Sequence, residues 1–430
     1  MQTSDPFLSN LNKWGKIWRM RMHLPALRIA SVYLWMMIAH DAAAAMQEPP
    51  NSSPNAQSPN TQSPNAESKT AELQLHTNLA KAAEAMHAGD LPSAAKSLRR
   101  ALEIDPHSMA ALNNLGIVLS REGKPAEAIP LYQEALKVRP GDAATERNLA
   151  VAYFKAQRFL PAWNLLRPMA AAPAADFQIL DLAGLSLFAL DRYSEAAPYL
   201  ERANQADPSD IETLDILGKA YLHTKNYKAL PSVFERIMKI NPNSAAAHVM
   251  MGTAYDETSD RPNAIKEYQA AVDADPNFMG AHSGLGYLYW RDGDIDRAEK
   301  EVRAELEHYP TDPVANYILG QILLNNSQLD EAESHFHAAL KANPHYKEAL
   351  FGLGKTEIAM NHPAAAVEPL RKAVQMDPNY AEAHFVLGTA LRRMGRDAEG
   401  NREQKISVDI QEKQRDEAIK KTESQPESKQ

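Results

Sequence analysis

Residues 112–119 read LNNLGIVL, residues 126–136 read AEAIPLYQEAL, and Pro140 follows shortly after. In both runs the apolar residues recur at three- and four-residue spacing, the pattern of a helix with one buried face. A polar turn, Glu122-Gly123-Lys124, separates them, and Pro125 opens the second run. At the first position of a helix the missing N–H of proline costs little. Pro140 then ends the second helix, because proline cannot continue the hydrogen-bond ladder. The stretch therefore reads as two short helices folded back on one another. A pair this short cannot bury its apolar face alone, whereas a stack of such pairs can.

The rest of the chain supplies the stack. Pro106, Pro140, Pro208, Pro242, Pro276, Pro310, Pro344 and Pro378 fall on a 34-residue period, with one double step whose missing member is displaced to Pro173. Counting each repeat from 31 residues before its proline, the eighth position holds Gly116, Ala150, Gly184, Gly218, Gly252, Gly286, Gly320, Gly354 and Gly388 in repeats two to ten. The twentieth holds Ala94, Ala128, Ala162, Ala196, Ala264, Ala298, Ala332 and Ala366, with Leu230 as the exception. Small residues at these two positions let the helices of a pair approach closely. An all-α fold follows, and the abundance of Ala over Val, Ile and Thr agrees with it.

The residues quoted from repeat two, with the period, resemble the tetratricopeptide repeat. The resemblance covers residues from about 75 to 400. It implies a right-handed superhelical solenoid of antiparallel helix pairs, whose first helices line a concave groove that binds segments of other proteins. It also implies that positions 2, 5, 9, 12 and 13 of each first helix face that groove. These are Phe154, Leu185, Phe188 and Leu222 in the earlier repeats, and Tyr287, Trp290, Arg291, Tyr317, Leu324, Phe351, Lys355 and Phe385 in the later ones. Arg147, Lys155, Asp181, Asp215, Lys219, Asp256 and Glu257 lie among them. A ligand for this lining is an amphipathic or extended segment with large apolar anchors, since aromatic residues dominate recognition energies and rim charges add little.

Other segments set the limits of the array. Basic residues from Lys13 to Arg28 precede the apolar run IASVYLWMMIA (29–39) and the small residues Ala42 to Ala45, the layout of a secretory signal peptide over residues 1–46. As a helix the apolar run would reach about 16 Å, short of a hydrocarbon core of roughly 30 Å, so export with cleavage is favoured over a membrane anchor. Residues 47–72 carry SPN three times and read as a disordered linker. Residues 73–400 form the solenoid, 401–421 a charged capping helix, and 422–430 a disordered tail. Pro168 and Pro173 are expected to break the second helix of repeat three early.

Catalytic and cofactor signals fail on context. There is no Cys, so thiolate metal sites and disulfides are excluded. His335 and His337 point about 200° apart on a helix and cannot share a metal from one face. Gly354-Lys355-Thr356 ends like a phosphate-binding loop, but the glycine such a loop needs five residues earlier is Ala349, and the segment falls in a repeat helix. A net charge of −9 argues against nucleic acid as partner. The function expected is a non-enzymatic, cofactor-free scaffold for a protein or peptide segment. The alternative is an accessory subunit of an envelope glycan synthesis or export complex or of a glycosyltransferase complex, in either case membrane-associated, prompted by the likeness of Asn114 and Asn148 to the asparagine-lined groove of a repeat-bearing glycosyltransferase.

Overall fold

A computed structural model describes residues 66–423. The basic and apolar N-terminal segment, most of the SPN linker and the end of the tail lie outside the described residues. Within them are twenty α-helices and no strand. The helices follow the repeat two by two, packed as pairs in nine repeats, and the two helices of repeat five fall in different compact units. The first five repeats begin α1 (Ala66–His87) with α2 (Leu91–Ile104), α3 (Met109–Arg121) with α4 (Pro125–Val138), and α5 (Ala143–Lys155) with α6 (Phe159–Ala171). They continue with α7 (Phe177–Ala189) and α8 (Tyr193–Ala206), then α9 (Ile211–His223) and α10 (Leu230–Ile240). Next come α11 (Ala245–Glu257) with α12 (Arg261–Ala274), and α13 (Ala281–Arg291) with α14 (Ile295–His308). The series ends with α15 (Pro313–Asn325) and α16 (Leu329–Ala342), α17 (Lys347–Ala359) and α18 (Pro363–Met376), and α19 (Ala381–Arg393) and α20 (Asp397–Glu423).

The described residues divide into two compact units, the first ending at Lys225 and the second starting at Asn226. The divide falls inside repeat five, the repeat with Leu230 where the others have a small residue. Within each unit the helix pairs stack in sequence as a solenoid. No described helix is long and apolar enough to cross a membrane.

Position 8 shows why the pairs close. A Cβ on Gly116 would lie 2.6 Å from the ring of Tyr132, one on Gly184 2.6 Å from Leu200, and one on Gly320 2.9 Å from Phe336. Each of these partners sits at position 24, in the middle of the second helix. The wedge reaches further than its own pair. Tyr268 lies against Gly252 of its repeat and Gly284 of the next, and Phe336 against Gly320 and Gly352 in the same way. Both rings are almost wholly buried. A buried aromatic withdraws roughly 150–250 Å² from water, worth about 4–6 kcal/mol at 25 cal/mol per Å².

The ends of the helices are equally regular. Asp142, Asp176 and Asp210 accept from the backbone N–H of Thr145, Ile179 and Thr213 and cap α5, α7 and α9. Position 15 is left-handed in all ten repeats: Gly89, Gly123, Gly293 and Gly395 occupy it in four, and Gln157, Asp191, Lys225, Ser259, Ser327 and Asn361 in the rest. The following N–H returns to the helix, as from Lys124 to Leu119 O at 2.9 Å, satisfying carbonyls that the helix end would leave open.

A polar staple links neighbouring repeats. His384 Nδ1 lies 2.7 Å from Glu403 in its own pair, and its Nε2 lies 3.2 Å from the carbonyl of Pro378 in the preceding repeat. Asn316 makes the same bridge, donating to Pro310 O at 3.0 Å and facing His335 at 2.9 Å. His282 pairs with Glu301 at 2.6 Å. Beside it, α13 lacks a capping side chain, and Glu305 of α14 replaces one by accepting from Gly280 and Ser283 N–H at 2.8 and 3.2 Å. Asp312 caps α15 through Ala315 N–H at 2.7 Å. Glu305 and Asp312 are both buried. Burial raises Glu305, and burial with the nearby Glu305 charge pushes Asp312 up to about 8. The bond to Glu301 raises His282.

Three expectations need correction. Helix α1 begins at Ala66, so the linker does not extend to residue 72. Pro168 lies inside α6, which runs to Ala171. It falls in the last turn, where one lost N–H leaves the earlier ladder intact. Residues 401–421 are not a separate cap, because α20 is continuous over Asp397–Glu423. Gly400 supplies the small residue of the tenth pair: a Cβ there would lie 2.7 Å from the Gly388 carbonyl oxygen, and the reverse also holds.

Two outcomes follow. Gly352→Ala places a Cβ 2.5 Å from the enclosed Phe336 ring, and chemical denaturation is expected to show a loss of about 1–3 kcal/mol. For pH, the folded-state values of Glu305, Asp312 and His282 are all raised. Their contribution is present at low pH and is lost as pH rises through the folded values. Stability should therefore fall as pH rises from about 4, the unfolded range of the carboxylates, to about 8, the folded value of Asp312. Asp312→Asn keeps a good cap and should flatten that slope, and an unchanged slope would refute the assignment.

Candidate partner-binding surface

The first helices carry the expected lining, and burial sorts it into three kinds. Tyr287, Tyr317 and Leu222 are 4%, 6% and 5% exposed and belong to the interior. The ring of Tyr317 is 5.0 Å from Tyr346, 5.8 Å from Trp290 and 6.4 Å from Phe336, and burial raises its hydroxyl pKa. The expected aromatic surface of repeats seven and eight is thus largely core, because these rings fill the space between successive first helices.

A second kind is half-buried and bound to neighbours. Trp290 and Leu324 pack on the same core as Tyr317. Phe154 meets Phe159 edge-on at 5.5 Å, and Phe188 meets Tyr193 at 5.0 Å. Leu185 is half-buried. Phe351 packs 4.9 Å from Tyr380, and Arg291 is held by Asp256 at 2.8 Å. The charges between them are mostly paired as well. Arg147 bonds Asp176 at 2.7 Å, and Lys219 bonds Asp215. The Thr213 hydroxyl donates to Asp181 at 3.0 Å, and burial pushes that carboxyl up to about 7.

The third kind opens to solvent. Helices α17 and α19 leave a cleft of about 520 Å³ between them. Lys355 and Ile358 line it from α17, and Phe385, Thr389 and Arg393 from α19. Phe385 is 54% exposed, a large ring with no cover. Lys355 Nζ sits 5.6 Å above the Phe351 ring, and Arg393 donates to Ile358 O at 2.9 Å. The cleft is therefore lined by apolar side chains with two cations, Lys355 and Arg393, and no acidic side chain lines it.

Among the described residues no group of three or more His, Asp or Glu is placed to hold a metal ion. Gly354-Lys355-Thr356 lies within α17. There Gly354 faces Leu370, while the buried Thr356 hydroxyl donates to Gly352 O at 2.9 Å. The backbone N–H groups of this segment are held in a helix and form no phosphate cradle.

Sequence models described as "tetratricopeptide repeat" match residues 79–143, 249–313 and 353–400 in one form and 119–183 and 323–370 in another. Together these matches span more than half of the chain. The chain belongs to the tetratricopeptide repeat family.

Solved tetratricopeptide structures resemble it at low identity. YrrB, a TPR protein with an unusual peptide-binding site, is 22% identical, and the match covers 44% of this chain and 96% of YrrB with a TM-score of 0.40. Yeast Tom70 is 15% identical over 80% of this chain and 92% of its own, with a TM-score of 0.34. MamA is 24% identical over 39% and 97%, again with a TM-score of 0.34. No curated protein matches the chain.

Of the residues that the tetratricopeptide register assigned to the groove, Lys355 and Phe385 line this cleft. Ile358, Thr389 and Arg393 were missed, although they occupy positions 12, 9 and 13. None of the three is aromatic, and the register alone places them beside Lys355 and Phe385. Burial separates two outcomes. Phe385→Ala should leave thermal unfolding within about 0.5 kcal/mol of the parent, whereas Tyr317→Ala should cost about 3–5 kcal/mol. Equal losses would place Phe385 in the core.

Proposed function

We propose that this tetratricopeptide protein is a non-catalytic scaffold that binds a segment of a partner protein on the surface of its first helices. The α17–α19 cleft takes an apolar side chain flanked by carboxylates. The observation that carries this reading is Phe385, a solvent-exposed aromatic ring in a cleft that Lys355 and Arg393 also line. An exposed ring beside two cations favours a ligand with an apolar anchor and negative charge, because ring burial supplies affinity and the cations select the sign of the partner.

The test uses fluorescence anisotropy with two synthetic peptides, each with a central Phe. One is flanked by Glu and Asp, the other by Lys. The acidic peptide should bind more tightly, and Phe385→Ala should weaken it about tenfold, which is about 1.4 kcal/mol. Lys355→Ala should reduce the preference for the acidic peptide. Equal binding of both peptides, or no effect of Phe385→Ala, would remove the cleft as the site.

A further inference from the structure

Position 4 of the first helix is histidine in repeats six, seven and ten, and asparagine in repeat eight. In repeat ten this residue, His384, is buried and touches two elements at once. Its Nδ1 lies 2.7 Å from a Glu403 oxygen of α20, and its Nε2 lies 3.2 Å from the Pro378 carbonyl in the turn that leads into α19. A carbonyl only accepts, and so does an ionised carboxylate, so each nitrogen has to donate. An imidazole can do that only with a proton on both. Neutral His384 keeps one tie and loses the other.

Repeat eight makes the same bridge without that requirement. Asn316 Nδ2 donates to Pro310 O at 3.0 Å, and its Oδ1 lies 2.9 Å from His335 Nδ1. Each contact there has a donor and an acceptor at any pH, and burial lowers the His335 pKa. Repeat seven returns to the titrating form. The bond of His282 to Glu301 raises the imidazole, and the Pro276 carbonyl adds to the effect.

The groups that face His384 favour its second proton. Helix α20 presents Glu403, and the turn after α18 presents Asp377. Burial would raise the Asp377 carboxyl, but bonds from Lys347 and Asn379 N–H, with the charges of Lys347 and His384, hold it low. Lys347, the cation that α17 brings to this place, is engaged by Asp377 at 2.8 Å and lies 3.6 Å from Glu348. Burial raises the Tyr380 hydroxyl, which stays neutral.

The two ends of α19 are held differently. Arg393 ties the last turn to α17 by donating to Ile358 O, a bond that no pH near neutrality breaks. The first turn has no capping side chain. Its tie is His384, and the next residue is Phe385, the exposed ring of the α17–α19 cleft.

We propose that His384 is a proton-operated clasp that fixes the first turn of α19, and with it Phe385, in acid and releases them as pH rises. Its consequence for binding rests on the reading of the α17–α19 cleft as the partner site. A ring already fixed loses less freedom when a ligand covers it, so the cleft should bind more tightly in acid. Histidine in general gives up its second proton at about pH 6.5, so about pH 5.5 and about pH 8 bracket the change.

The experiment compares the full chain with the double variant His384→Asn, Glu403→His, which transplants the pair formed by Asn316 and His335 in repeat eight. Nitrogen-15 NMR of the parent should show both His384 nitrogens protonated at the lower pH, and a single protonated nitrogen there overturns the clasp. Hydrogen exchange at residues 383–386, corrected for its intrinsic pH dependence, should lose protection about fivefold in the parent at the higher pH and hardly change in the double variant. Equal changes in both overturn the proposal. The acidic peptide with a central Phe should bind the parent about threefold more weakly at the higher pH and the double variant equally at both. Glu305 and Asp312 remain in both proteins, so the difference between them belongs to His384. If the exchange result holds and the peptide binds neither protein, the clasp stands and the cleft falls as the partner site. If the peptide binds the parent alike at both pH values, the cleft stands and its control by His384 falls. Should the double variant fail to fold, Glu403→Gln removes the charge that favours the second proton and should move the exchange transition to lower pH. An unmoved transition overturns the clasp.

Discussion

A bulky side chain at position 24, driven into the gap left by a glycine at position 8, holds the two helices of most repeats together. The glycine is required because the wedge occupies the volume a Cβ would need: 2.6 Å separates a Cβ on Gly116 from Tyr132, and 2.5 Å separates one on Gly354 from Leu370. Interiors are packed near crystal density, so neither partner can change volume alone. Much of the rest follows from this contact. It fixes the depth of each pair, and with it which residues of the first helix remain outside. Tyr317 is drawn into the core beside Phe336, while Phe385, at the same position two repeats later, stays in solvent.

The period, the pairs and the helix starts were legible in the sequence because each rests on local chemistry. Prolines end helices, and small residues mark close approaches. The aromatic groove of repeats seven and eight was not legible. Its rings obey the right register, but register does not tell whether a large side chain lies between first helices or above them. That depends on the neighbouring repeat, in this case on Tyr346 and Phe336 packing around Tyr317. The left-handed residue at position 15 was also hidden wherever it is Ser, Lys or Gln, since only glycine announces that conformation in a sequence. The end of the array misled for a different reason. Gly400 takes position 20 of the tenth repeat, the smallest residue where other pairs have Ala, and so ties α20 into its pair.

Charge follows a simpler rule. Several ionised groups of the first helices are matched within one repeat or with the next, as Arg291 is with Asp256. Two features stand apart, the cationic side chains of the α17–α19 cleft and the buried carboxylates Glu305 and Asp312. The carboxylates are explained by capping, for each accepts from backbone N–H groups that would otherwise be orphaned. Of the cations, Arg393 donates to Ile358 O in the last turn of α17, and Lys355 sits over the Phe351 ring.

From repeat six to repeat nine, the wedge of one repeat is matched in size by position 6 of the next. Tyr268 is followed by Gly284 and Phe336 by Gly352, while the smaller Val302 and Leu370 are followed by Ile318 and Val386. The repeats are therefore not interchangeable cassettes. Each carries on its trailing helix a shape that only certain successors can accept, so the order of repeats is written in their interfaces. A chain shuffled by whole repeats would keep every helix and still be scrambled, with rings meeting branched side chains at one junction and voids opening at another.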